Sequence, residues 1–231
     1  MNEPRSYAQH RYVRPAGQTE ILLVRHGQSA ALVDGEPFPM IDGQGDPPLT
    51  PLGLQQAEKV GERLSREPVD AIYVTSMRRT HQTAAPLAAR LRMTPVVEGD
   101  LREVHLGEWE GGVLRRMAAE GHPLYQRMHQ EQRWDVIPGA EPGERFAQRT
   151  VVALERIAAR HPDQVVVVVA HGGVIGQLAA QACGSTAFRF GGADHGSITH
   201  LVVGPQGWTL RRFNDSAHIY DTVVNHVDLP T

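Results

Sequence analysis

Apolar positions along the chain follow two different periods. Three short continuous runs, EILLV (Glu20 to Val24), DAIYV (Asp70 to Val74) and VVVVVA (Val165 to Ala170), are β-rich and end in polar or glycine-containing segments, which predicts buried strands. Between them the apolar residues recur at steps of three and four. Leu54, Ala57, Val60 and Leu64 form one such stripe, behind a Thr50-Pro51 start in which threonine caps and proline takes the first helical position. A second helix is expected from Arg79 to Leu91, strained or broken at Pro86. Phe146, Thr150, Ala153, Leu154 and Ile157 mark a third helix after Gly143, and a fourth runs from His171-Gly172-Gly173 to about Cys183. Val96-Val97 is expected to be a short strand. Ser197 to Val203 and Trp208 to Phe213, joined by Gly204-Pro205-Gln206-Gly207, read as a hairpin.

Strands alternating with helices predict an α/β domain, a three-layer sandwich with a mainly parallel central sheet flanked by helices on both faces. A near-continuous valine run is what a strand covered on both faces requires. Residues 1–18 are expected to be a flexible N-terminal arm, and 19–231 a single domain with an irregular, partly helical insertion at about 111–142, broken by Pro123, Pro138 and Pro142. Residues 33–48, crowded with Gly, Pro and Asp, predict a long loop of the functional kind. No internal repeat is present.

Composition narrows the function classes. The 231 residues are 41% hydrophobic and 21% charged, with a formal net charge of −3, which argues against a nucleic-acid partner. No apolar run approaches the ~20 residues of a membrane span, and the polar start (Arg5, His10, Arg11, Arg14) lacks the apolar centre of a secretory signal. A lone cysteine, Cys183, leaves no internal disulfide and no Cys-rich zinc site, so a cytoplasmic location is expected. Of 23 basic residues only Lys59 is lysine. Arginine forks suit phosphate and carboxylate, but the bulk count is attributed to codon usage, and position has to decide.

Position does decide. In open sheets of this class ligands bind beyond the carboxyl ends of the strands. After EILLV comes Arg25-His26-Gly27-Gln28-Ser29; after DAIYV comes Thr75-Ser76-Met77-Arg78-Arg79-Thr80; after VVVVVA comes His171-Gly172. Between the last two lies LREVHLGEWEG, Leu101 to Gly111, with Glu103, Glu108 and Glu110 as candidate acids. Arg-His-Gly alone is weak, expected about 0.1 times by chance at this composition. A neutral imidazole is a competent nucleophile toward phosphorus, guanidiniums match the equatorial oxygens of a transferring phosphoryl group, and a carboxylic acid can protonate the leaving oxygen. No metal is required if arginines supply the positive field.

RHGQS, then the S-x-R-R-T-x-Q-T segment, LREVHLGEWEG and the AHGG strand end, together with DPPLTPLGLQQA, GAEPGERF and NDSAHI, resemble the histidine phosphatase superfamily, the group that includes phosphoglycerate mutases, over residues 20 to about 218. The resemblance implies a phosphoryl-accepting His26, phosphate-clamping Arg25 and Arg79, a second pocket histidine at His171 and a proton donor at Glu103. Gly27, Gln28, Ser29 and Gly172 would complete the substrate-binding surround. It implies a small phosphorylated substrate, no cofactor, no metal and, by family habit, a homodimer. Two departures are visible. Leu32 stands where many members carry an asparagine, so one phosphate contact falls to another group such as Ser29. Val104 follows Glu103 where the mutases tend to carry an arginine, and the mutase-type RRSY segment is absent. The expectation is therefore a metal-independent phosphomonoesterase with a bell-shaped, acidic-to-neutral pH profile. A phosphoglycerate mutase is the enzymatic alternative, and a phospho-ligand-binding domain without turnover the non-enzymatic one.

Other residues are given ordinary roles. His122, His129, His195 and His200 lack a metal-binding spacing. Arg115-Arg116 and Arg211-Arg212 are expected on solvated faces, the first pair reaching substrate only if the insertion folds over the site. Phe38, Met40, His105, Trp109 and Tyr125 are candidate specificity contacts.

Overall fold

The computed structural model describes residues 7–220. Residues 1–6 and 221–231, and with them Arg5 and the outermost parts of the arm and domain assignments, lie outside the described residues.

In chain order the elements are β1 (Thr19–Arg25), the two-residue strands β2 (Met40–Ile41) and β3 (Gln44–Gly45), α1 (Pro51–Leu64), β4 (Ala71–Val74), α2 (Arg78–Leu91) and β5 (Val96–Val97). There follow α3 (Val113–Ala119), α4 (Pro123–Glu131), α5 (Gly143–Arg160), β6 (Val165–Ala170), α6 (Gly172–Cys183), β7 (Ile198–Gly204) and β8 (Gly207–Asp215). The main sheet has six strands in the order β5-β4-β6-β1-β7-β8. β7 alone runs against its neighbours; the other five point the same way.

The pleat divides each central strand between two layers. Ile21, Leu23, Val166 and Val168 face α5 and α6, where Phe146, Leu154, Ile157, Val174 and Leu178 bury against them. Leu22, Val24, Val167 and Val169 face the other way, onto Val60 and Leu64 of α1 and Leu87 of α2. This is why the valine run has no polar face. The register also levels the strand ends: Arg25 pairs with Ala170, and Val169 with both Val24 and Val74. The residues that follow, His26, His171 and Thr75, therefore emerge together at one edge of the sheet.

Two local expectations are corrected. α2 runs unbroken through Pro86, whose ring packs against Gly61 of α1. An added Cβ at Gly61 would sit 2.9 Å from Pro86 Cβ, so close packing of α1 on α2 supports the helix where its own ladder lacks a donor. Leu54 is exposed (47%) instead of buried, because the inward positions of that turn are Gly53 and Gln56. Residues 7–17 form no helix or strand, and their base is fastened: Arg14 donates to the Asp163 carbonyl (2.8 Å), and the Arg211 guanidinium lies 3.7 Å over the Tyr12 ring.

Candidate active site

His26 starts the loop after β1 and is 7% exposed. Its Nδ1 lies 2.8 Å from the Gly27 carbonyl. A carbonyl only accepts, so Nδ1 carries the proton and Nε2 carries the lone pair. Burial, followed by the charges of Arg79 and Arg25, holds this imidazole well below the ordinary histidine pKa, which keeps it neutral at pH 7. Gly27 acts through its backbone. Its N–H donates to Thr83 Oγ1 (3.0 Å), and a Cβ there would strike the Gly53 carbonyl, so only glycine lets the loop lie against α1.

His171 is fully buried and begins α6 at the end of β6. Its ring meets that of His26 edge-on at 5.3 Å. Nε2 contacts Thr75 Oγ1 (3.0 Å), while Nδ1 is buried without a hydrogen-bond partner. Burial and the Arg79 charge lower its pKa as well.

Arg79, in the first turn of α2, is buried and donates from Nε to His26 Nε2 (3.3 Å) and from a terminal nitrogen to the Gly45 carbonyl (3.0 Å). Asp46 stands 3.8 Å away as its counter-charge and accepts the Arg78 N–H at the start of the helix (2.8 Å). Arg25 reaches the Ala193 carbonyl with one terminal nitrogen, and its Nε is buried and unpartnered. Glu103 is gripped by two backbone amides, Val104 N–H and the Gly173 N–H of α6, both at 3.0 Å. A side chain at Gly173 would collide with that carboxylate.

Sequence reasoning missed His195 and Arg149 here, and gave Arg115 a place at the site only on the condition that the insertion folds over it. Arg115 of α3 folds over the pocket. It donates to Ser29 Oγ (2.8 Å) and to the Ala30 carbonyl, and its guanidinium sits 4.9 Å over the Phe38 ring. Burial, then repulsion from Arg25, lowers its pKa. Leu32 lies beside Gly112 and Phe38, so the sequence's departure there packs against the insertion that delivers Arg115. His195 brings its ring to 6.0 Å from His26, and burial together with Arg25 and Arg115 holds it at about 4. Arg149 of α5 pairs with both oxygens of Glu141 (2.7 and 2.8 Å) and donates to the carbonyls of Asp100, Arg102 and Glu103. That clasp fixes the loop carrying Glu103; the GAEPGERF stretch was its only signal in the sequence.

Arg25, His26, Ser29, Arg79, Glu103, Arg115 and His195 thus line one cavity of about 200 Å³ at the strand ends. Gly172 does not line it but lies against Arg25, where a Cβ would sit 3.5 Å from Arg25 Nε. Gln28 does not join the group: its side-chain oxygen accepts from Thr50 Oγ1 (2.8 Å) and its N–H donates to Gln56, so it braces the start of α1. Glu108 is exposed, and Glu110 spends its two oxygens on the N–H groups of Leu106 and Gly45. Phe38 and Trp109 line the cavity, whereas Met40 is exposed and His105 accepts from Gly107 N–H. Among the described residues, no three His, Cys, Asp or Glu side chains are grouped to hold a metal ion, and no helix is long and apolar enough to cross a membrane.

A neutral imidazole with a directed lone pair, facing several guanidiniums and a carboxyl group, is an arrangement for phosphoryl transfer. Residues 21–216 match the model of the histidine phosphatase superfamily, branch 1, and the chain belongs to that family. It is 32% identical over 205 residues to a metal-independent phosphoserine phosphatase of Arabidopsis thaliana, covering 87% of this chain and 83% of that one. Similarity to a glucosyl-3-phosphoglycerate phosphatase of Mycobacterium tuberculosis is 30% over 167 residues (69% and 73% of the two chains). A solved structure of a mycobacterial glucosyl-3-phosphoglycerate phosphatase superposes with a TM-score of 0.70 at 28% identity, covering 86% of this chain and all of that one.

Proposed function

We propose that the protein is a phosphomonoesterase working through a phosphohistidine on His26. The observation that carries this reading is the fixed tautomer: a buried, neutral His26 whose Nε2 lone pair opens on a cavity ringed by Arg25, Arg79 and Arg115. Nε2 attacks phosphorus, the N–P bond forms and the P–O bond to the alcohol breaks, while Glu103 delivers a proton to the departing oxygen. Water then gives its proton to the Glu103 carboxylate and attacks phosphorus; the N–P bond breaks, and inorganic phosphate leaves. The guanidiniums hold the equatorial oxygens, His171 stands edge-on to His26 (5.3 Å), and Arg115 takes the contact that Leu32 cannot make.

Val104, next to Glu103, is 1% exposed and offers no cation to a substrate carboxylate, which favours hydrolysis over mutase chemistry. The test is to quench turnover of a labelled phosphomonoester in base. An acid-labile, base-stable label on the wild type and none on His26→Ala is expected; a base-labile label, or one that persists in His26→Ala, overturns the assignment.

A further inference from the structure

Beside the phosphoryl cavity, and sharing Arg25, His26 and Glu103 with it, opens a second cavity of about 580 Å³. His26 and Glu103 border it as they border the phosphoryl cavity, so it is a space that the alcohol part of an ester held at His26 can occupy. Its far wall is made by α4, the segment after it and the 187–192 turn. Four rings stand in series there: Tyr125 and His129 at 4.6 Å between centroids, His129 and Phe188 at 5.8 Å, and Phe188 and Trp134 at 4.9 Å. Leu114 and Met128 also line it. Among the described residues, Arg25 and Glu103 at the shared mouth are the only Arg, Lys, Asp or Glu that line it. Arg115 borders the phosphoryl cavity instead, tied to Ser29 and Ala30.

We infer that the substrate is a phosphomonoester of an uncharged, ring-bearing alcohol, aromatic or heteroaromatic, whose ring lies among Tyr125, Phe188 and Trp134. The inference rests on the reading of His26 as phosphoryl acceptor and adds to it the chemistry of the leaving group. Offset and edge-on ring contacts reward a planar group, and a volume of this size suits a ring system better than a three-carbon acid. A substrate carboxylate or ammonium entering the cavity would shed its water against rings that offer no opposite charge. Phosphoserine and glucosyl-3-phosphoglycerate, for which two of the similar proteins are named, carry charge on that half of the molecule and serve as the contrast.

The experiment compares 2-phenylethyl phosphate with ethyl phosphate, two alkyl esters whose alcohols are similarly poor leaving groups, alongside phosphoserine. kcat/KM for the phenylethyl ester should exceed both on the order of 100-fold, as expected of a filled apolar pocket. Phe188→Ala and Trp134→Ala should each lower the phenylethyl-to-ethyl ratio about 10-fold. The ratio is taken within one preparation, so partial unfolding of a variant does not move it, and Phe188→Leu should restore part of it. A wild-type ratio near one, a ratio unmoved in both alanine variants, or phosphoserine as the better substrate overturns the inference. Failure of every ester to release phosphate would instead overturn the hydrolase reading. The cavity is then judged by calorimetric binding of 2-phenylethylphosphonate against ethylphosphonate, with equal affinities counting against it.

Discussion

The two cavities that meet at His26 are built on opposite principles. The phosphoryl pocket is made of strand ends and helix starts: β1, β4 and β6 finish level, and α2 and α6 begin there. Key side chains in it are directed by backbone groups, as when Gly27 sets the His26 tautomer or Val104 and Gly173 hold Glu103. The neighbouring cavity is walled by short helices and a turn, positioned by side-chain packing around Met128, Trp109 and Ile137. Backbone-directed chemistry is shared by any substrate bearing the reacting group. Packing-directed shape distinguishes one alcohol from another. Substitutions in the first region should therefore scale all substrates together, and substitutions in the second should reorder them.

Glu103→Gln gives the largest test of that division short of removing the nucleophile. General acid catalysis contributes typically ~100- to 10,000-fold, and kcat/KM, which reports the steps up to phosphoryl transfer, should fall by that order for both ethyl and 2-phenylethyl phosphate, leaving their ratio intact. For p-nitrophenyl phosphate, whose leaving group needs no proton, the loss should be far smaller. Steady-state kinetics on the three esters check it; equal losses on all three would mean that Glu103 does not protonate the alcohol.

Arg115→Met comes next. A charged hydrogen bond of ~1.5–3 kcal/mol corresponds to about 10- to 100-fold in kcat/KM. If Arg115 holds the phosphoryl group, that loss is uniform across leaving groups and inhibition by inorganic phosphate weakens in step. A loss confined to phosphoserine would move Arg115 into the recognition of the leaving group and blur the division between the cavities.

The same division explains what the sequence made legible. Strand ends carry their chemistry in contiguous letters, so RHG, AHGG and RRT could be read, and the register then gathered His26, His171 and Arg79 as the α/β topology demands. Fold class was legible because the valine run and the helical stripes each have a single interpretation. Arg115 was legible only as a conditional reach into the site, and His195 not at all. Their neighbours lie 86 and 169 positions away in chain order, at Ser29 and His26, and are set by how the insertion and the turn before β7 come to rest. Of the rings of the larger cavity only Tyr125 was singled out in the sequence; Trp134 and Phe188 share no period with it and stayed hidden. Pro86 misled because a local rule on helix interiors was overridden by α1 packing against it.

Acid should destabilise the protein, in part through histidines in and beside the phosphoryl pocket. His26, His171, His195, His200 and His218 all have folded pKa values below their ordinary one, led in each case by burial, with His195 at about 4. Between the folded and unfolded values, the unfolded chain binds protons that the native protein does not, so stability must fall as pH drops below ~6.5. Glu141 acts in the same direction: burial pushes its carboxyl up, but Arg149 and a backbone bond outweigh that and leave it lowered, so its contribution too is lost in acid. Each proton taken up by the unfolded chain alone costs about 1.4 kcal/mol per pH unit. Urea unfolding at pH 7.5, 6 and 5 should show that slope, and His195→Gln should remove about one proton from it over the window from 6.5 to 4. An unchanged slope would mean that His195 titrates alike in both states, and the charge crowding around Arg25 and Arg115 would then be weaker than the geometry requires.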